Sequence, residues 1–244
     1  YLAGLASAAI SASAWFFTEF FTEGVSEVDI AQIKLLKQRG FTARQMRDTG
    51  KSARQLRSAG YAMEEVTGAG FSARELREAG CAAADLREAG RTARDLREGG
   101  YAAQDLKRAG YTAARELKEA GFSAEDLKKA DFTARELREA GLAAGDLRKA
   151  GYTARCLKEA GYAAEDLNKS GCTGRDLKEA GYQATRDLKR AGYTTRDLKE
   201  AGYAAEDLKR AGFTASDLKV AGYAAEDLRK AGYAATRDLG EAGY

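Results

Sequence analysis

Adjacent carboxylates recur along this 244-residue chain, Glu165 with Asp166 and Glu206 with Asp207 among them. Two carboxyl groups facing one point could divide the work of general acid and general base. Helix neighbours do not face one point, because consecutive residues project about 100° apart. The chain has no His, which removes the commonest general base, proton shuttle and metal ligand. Its three cysteines, Cys81, Cys156 and Cys172, are odd in number and widely spaced, which fits neither a zinc site nor a disulfide framework. Cys81 and Cys172 stand where most repeats carry an aromatic and read as small buried substitutes. Cys156 stands where most repeats carry an acid and is expected to be exposed. A catalytic centre needs unlike groups converging on one place, whereas the same group repeated many times describes a scaffold. No catalytic residue, no metal ligand and no cofactor is therefore expected.

What must be explained instead is the repetition. From residue 31 to residue 243 the chain reads as 21 consecutive units, 18 of ten residues and three of eleven, the longer ones beginning at Tyr111, Tyr182 and Tyr233. A unit runs aromatic, Thr/Ser/Ala, Ala, variable, Asp/Glu, Leu, Lys/Arg, variable, Ala, Gly. Position six departs from Leu only at Met46 and Val66, and position ten departs from Gly only at Asp131. A pentapeptide β-helix shares this period. It would bury the residue two places before each central one, here often charged (Arg74, Arg94, Glu165), at a prohibitive cost.

A helix meets no such conflict. Positions three, six and nine fall on one face and the charges on the other. Thr at position two with an acid at position five spells a capping box, as in Thr194 with Asp197, and the preceding aromatic with the Leu spells a hydrophobic staple. Gly at position ten suits the left-handed residue that closes a helix, and Asp131 is among the few residues that tolerate that conformation. The extra residue of the longer units is expected to lengthen its helix. Two-turn helices are unstable alone and must stack. The fold expected is all-α: a solenoid over 31–244 of about 21 short helices joined by single-Gly turns, preceded by an N-terminal hydrophobic helix in 1–30. Between residues 133 and 224 the cap position mostly alternates Thr with Ala, which predicts a twenty-residue superunit with two inequivalent sides.

The charge sits at one end. Residues 1–30 carry four acids and no base. Residues 31–60 carry eight bases (Lys34, Lys37, Arg39, Arg44, Arg47, Lys51, Arg54, Arg57) against Asp48 alone, and the remainder is neutral. The stretch YLAGLASAAISASAWFFTEFF (1–21) holds one charge, Glu19, and is long enough to span a bilayer. Its aromatics Trp15, Phe16, Phe17, Phe20 and Phe21 would suit a membrane interface or a subunit contact. A transmembrane helix, an interfacial helix and a signal-type segment all fit, as does a helix that only caps the array's open end. The basic block that follows favours the cytoplasmic or stromal side of a membrane, with anionic lipid headgroups as one partner. Nucleic acid is disfavoured, because the block is short and the rest of the array is neutral.

Units such as GFSARELREA and GYTARCLKEA resemble the central repeat region of the DotG (IcmE) family of type IVB secretion systems, and they also resemble decapeptide arrays of protists such as dinoflagellates. The resemblance implies a spacer within a large membrane-tethered machine. The function expected is a non-enzymatic linker or scaffold subunit of a membrane-associated complex, with other subunits of that complex as partners. An organellar complex, for example a photosynthetic one at the thylakoid, is one form of that expectation. A soluble adaptor and an envelope-spanning spacer are the alternatives.

Overall fold

The computed structural model describes residues 27–183 and 186–233, together with Gly240. Among these residues every element is helical, twenty helices in tandem. The first, Glu27–Gln38, is twelve residues long and runs through residue 30, where the composition changes. The rest are short, mostly six residues, from Ala43–Asp48 to Ala225–Lys230. The aromatic cluster from Trp15 to Phe21 lies outside the described residues.

One unit shows why each helix starts and stops where it does. Thr194 sits in extended conformation, and its hydroxyl accepts the Asp197 N–H at 3.2 Å. The Asp197 carboxylate accepts the Thr194 N–H at 2.9 Å, which completes the capping box. Where position two is Ala only half the box forms, as at Ala62, whose N–H reaches the Glu65 carboxylate at 2.7 Å. At the other end Gly202 takes φ +79° and its N–H reaches the Lys199 carbonyl. The next N–H, of Tyr203, reaches the Leu198 carbonyl at 3.0 Å. That pair of bonds is the Schellman closure, and it delivers the aromatic back onto the Leu of the helix just ended. Asp131 closes its helix in the same way at φ +59°.

The eleven-residue unit beginning at Tyr111 departs from expectation. Its helix, Ala114–Glu119, keeps six residues, and the surplus residue lies in the extended connector, so that Ala113 rather than Thr112 precedes the helix. A residue added inside the helix would swing Leu117 about 100° off the buried face. An added connector residue leaves that face intact.

The chain divides into two compact units, residues 1–101 and 102–244. Within each, a helix packs chiefly against the helix two repeats away. In the first unit Glu27–Gln38, Ala53–Ser58, Ala73–Glu78 and Ala93–Glu98 form one column, and Ala43–Asp48, Met63–Gly68 and Ala83–Glu88 the other. The second unit is built the same way, so a coil holds two helices and about twenty residues. Between the columns lies the Leu of position six, fully buried from Leu56 to Leu228 and half-buried at Leu36, with the aromatic of position one buried beside it in most units. Fully burying one such side chain contributes about 1.5–3 kcal/mol. Within a column, position three of one helix meets position nine of the next. A Cβ on Gly99 would stand 2.7 Å from that of Ala73, and one on Gly174 would stand 2.8 Å from the Asp197 carbonyl oxygen.

Candidate interaction surface

The groups able to meet a ligand are the charged and hydroxyl-bearing positions, and those at positions seven and one turn back onto the neighbouring coil. Position seven shows this best. Lys158 donates to the Ala180 and Gly181 carbonyls at 3.2 and 2.8 Å and lies 4.6 Å from the centre of the Tyr182 ring. These carbonyls end the helix two repeats on, so each cation complements the negative end of a neighbour's dipole as well as its own. Arg47, Lys118, Lys128 and Lys189 do likewise. Arg148 instead pairs with the Asp176 carboxylate at 3.0 Å.

Position one works in the opposite direction along the chain. Tyr162 donates its hydroxyl to the Leu142 carbonyl at 2.6 Å, Tyr223 to Tyr203 at 2.6 Å, and Tyr193 to Cys172 at 2.9 Å. Arg91, which replaces an aromatic, reaches the corresponding Phe71 carbonyl at 2.9 Å through its guanidinium. The staple accounts for a ring at this position. A hydroxyl-to-carbonyl bond spanning one coil accounts for Tyr in particular, and the excess of Tyr over Phe at position one (ten against five) is its trace in the sequence. Burial pushes these phenols up, to about 12 at Tyr152, Tyr203 and Tyr223.

The box carboxylates move the other way. Hydrogen bonds from Ser72 hold Glu75 below the ordinary range, and the Thr92 and Thr133 N–H groups do the same for Asp95 and Glu136. The adjacent carboxylates therefore have separate tasks. Glu165 pairs with Lys169 at 2.7 Å, while Asp166 accepts from the Ala163 N–H at 3.2 Å. Cys81 and Cys172 are buried, and burial raises the Cys81 thiol. Cys156 is half-buried and takes the place of the box acid, its N–H bonded to the Thr153 hydroxyl at 3.2 Å. Among the described residues no three Cys, Asp or Glu gather as metal ligands.

The basic block is divided by the fold. Lys37 bonds the Gly60 carbonyl, Arg47 that of Ala69, Arg54 that of Glu78 and Arg57 that of Ala79, while Lys51 pairs with Asp29 at 3.2 Å. Lys34, Arg39 and Arg44 are exposed. The block is basic because Leu35, Gln45 and Gln55 stand where other repeats carry the acid of position five, and because Arg39 and Lys51 stand where others carry Ala and an aromatic. Of the four large apolar side chains exposed among the described residues, three stand at the same end, Val28 at 77%, Leu35 at 47% and Phe41 at 41%, and the fourth is Val220 at 75%. At Tyr61, Tyr182 and Phe213, among others, the position-one ring lies against the cation three repeats earlier. Among the described residues no helix is long and apolar enough to cross a membrane.

No curated protein matches this chain. A family model does, three times in tandem, over residues 40–113, 113–184 and 183–244. With its period, its closures and its coil-to-coil bonds on view, the chain belongs to the decapeptide repeat region family, and it is a repeat protein of short stacked helices.

Proposed function

We propose that this protein is a non-catalytic structural spacer, a subunit that holds other proteins at a set distance. The observation that carries this reading is where its reactive groups go. Position-seven cations and position-one hydroxyls bind main-chain carbonyls of the adjoining coil in repeat after repeat, so the chemistry of the side chains is consumed in joining coil to coil. The likeness of its decapeptides to the repeat region of the DotG (IcmE) family supports the same role.

The N-terminal end supplies the attachment. Trp15, Phe16, Phe17, Phe20 and Phe21 precede an end that carries exposed Val28, Leu35 and Phe41 beside exposed Lys34, Arg39 and Arg44. Apolar and cationic groups together suit an anionic membrane surface or a membrane-bound subunit. In this reading the complex served is a membrane-associated assembly, and the basic block favours the cytoplasmic or stromal side for the repeats.

Native purification with mass spectrometry of the accompanying proteins tests the spacer reading. Stoichiometric recovery with one membrane complex supports it, and recovery as a free chain moves the assignment to a soluble adaptor. Deleting residues 1–26 tests the attachment. If the shortened chain still sediments with membranes after a salt wash, those residues are not the anchor.

A further inference from the structure

In the second unit the charges at position eight do not follow the ten-residue period of the rest; they follow the twenty-residue coil. In the second unit the column Ala134–Glu139, Ala154–Glu159, Gly174–Glu179 and Thr195–Glu200 ends its helices on Glu139, Glu159, Glu179 and Glu200. The column Ala124–Lys129, Ala144–Lys149, Ala164–Lys169 and Arg186–Arg190 ends them on Lys129, Lys149, Lys169 and Arg190. All eight side chains are exposed. Position four is set oppositely at Arg135 and Arg155 on the first column against Glu125 and Glu165 on the second, where Gly145 and Arg186 interrupt the acidic row. Because positions four and eight share a helix face, each column shows two parallel charged rows, Arg then Glu on one and Glu then Lys on the other.

The two faces differ in how well the fold itself uses these charges. On the second column Glu125 pairs with Lys129 at 2.9 Å and Glu165 with Lys169 at 2.7 Å, in the favourable order of acid before base and with the base at the helix's negative end. On the first column the order is reversed and an acid stands at that negative end. Arg135 and Arg155 do not answer it, since they donate to the main-chain carbonyls of Glu159 and Glu179 at 3.3 and 2.9 Å. The acidic row is therefore kept against local preference, as like charges one column step (about 8–10 Å) apart. A partner that neutralises every member of it must present cations at the same spacing. The second column of another copy has that spacing by construction. Set face to face with rows aligned, each acid from Glu139 to Glu200 meets a base of the position-eight row, and Arg meets Glu at the steps of Glu125 and Glu165.

We propose that copies of this chain associate side by side, the acidic-row face of one against the basic-row face of the next. The two faces are different surfaces, so the contact is heterologous and extends beyond a dimer. This goes beyond the spacer reading, which holds for a single chain or for a bundle.

The test is sedimentation of the full chain in non-ionic detergent, which shields residues 1–26, at low salt and at about 1 M salt, where the Debye length shrinks to about 3 Å. The expected result is a mass that grows with concentration at low salt and returns to the monomer at high salt. Two variants complete it, one carrying Glu139→Lys, Glu159→Lys and Glu179→Lys, the other Lys129→Glu, Lys149→Glu and Lys169→Glu. Each alone should remain a monomer at low salt, and a mixture of the two should associate again. A wild-type chain that stays monomeric at low salt, association that strengthens with salt, or a mixture of folded variants that stays apart overturns the proposal. Should circular dichroism show a variant unfolded, the salt dependence of the wild-type chain decides.

Discussion

Four glycines allow the backbone and packing arguments to be separated by one kind of substitution, Gly→Ala. At Gly145, inside the helix Ala144–Lys149, an added Cβ would meet nothing within 4 Å. Ala there should raise stability by about 0.5–1 kcal/mol, the helix-propensity difference alone. At Gly212 the added Cβ would also meet nothing within 4 Å, but the residue sits at φ +86°. Ala there should lower stability by about 1–2 kcal/mol through backbone strain alone. At Gly174 the helix gains the same propensity, yet the new Cβ would lie 2.8 Å from the Asp197 carbonyl oxygen and 3.2 Å from the Ala201 Cβ. Backbone that close cannot step aside, and overpacking of this kind costs about 1–3 kcal/mol, so a net loss is expected. Gly99, whose Cβ would stand 2.7 Å from that of Ala73, should follow Gly174.

Thermal melting followed by the helical circular dichroism signal reads these changes, at about 2–4 °C per kcal/mol for a chain of this size. Gly145→Ala should melt above the wild-type chain, and Gly212→Ala and Gly174→Ala below it. Asn at Gly212 should be tolerated better than Ala, as Asp131 is at its own left-handed site, while Asn at Gly174 should be worse. If Gly145→Ala and Gly212→Ala moved melting in the same direction, the account of helix closure would be refuted.

Tyr162→Phe removes the donor that reaches the Leu142 carbonyl at 2.6 Å and should cost about 1 kcal/mol in a urea titration; Arg91→Tyr should be nearly neutral, because either side chain can serve Phe71. Alkaline titration has a definite sign. The phenols of Tyr152, Tyr203 and Tyr223 are raised from 10.0 to about 12 in the folded chain, so stability holds below pH 10 and falls as pH rises towards 12. Tyrosinate absorbance and loss of helical signal should rise together in that window, and ionisation near pH 10 with the helices intact would exclude the hydroxyl bonds. Acid acts in mirror image. Glu75, Asp95 and Glu136 lie below their ordinary 4.5, 3.8 and 4.5, so their contribution is complete above pH 4.5 and is lost as pH falls through the lowered values. Hydrogen exchange should show the helices capped by Thr42 with Gln45 and by Ser52 with Gln55 unaffected over that window, since amides do not titrate there.

Most of the unit was legible because every local signal pointed one way. Cap, staple, apolar stripe and closing Gly are written within ten residues, and each is met in the structure where those residues expected it. The longer unit at Tyr111 was misread for an instructive reason: an insertion goes where it leaves Leu117 on the buried face, and the connector allows that while the helix does not. The joins between coils could not be read from one unit. Lys158 meets Gly181, and Tyr162 meets Leu142, only after two helices and two turns have set their angles. The charge count at 31–60 was legible, but five of its eight bases are held by carbonyls or by Asp29.

These residues sort by the period on which they recur, and the period says what each one serves. What returns every ten residues, such as Leu157, Gly161 and the base at Lys158, serves the single helix and its join to the next coil. What returns every twenty, such as Glu139 and Glu159 against Lys129 and Lys149, cannot be needed by every helix, since half of them do the opposite. It distinguishes one side of the coil from the other, and a solvated chain on its own has no use for that distinction. What departs from the period, Leu35 in place of the position-five acid and Arg39 in place of Ala, falls in the first unit, beside the exposed Val28 and Phe41. On the proposed spacer reading these three kinds of residue have three tasks: a body that stacks, sides that can be told apart, and an end available for attachment.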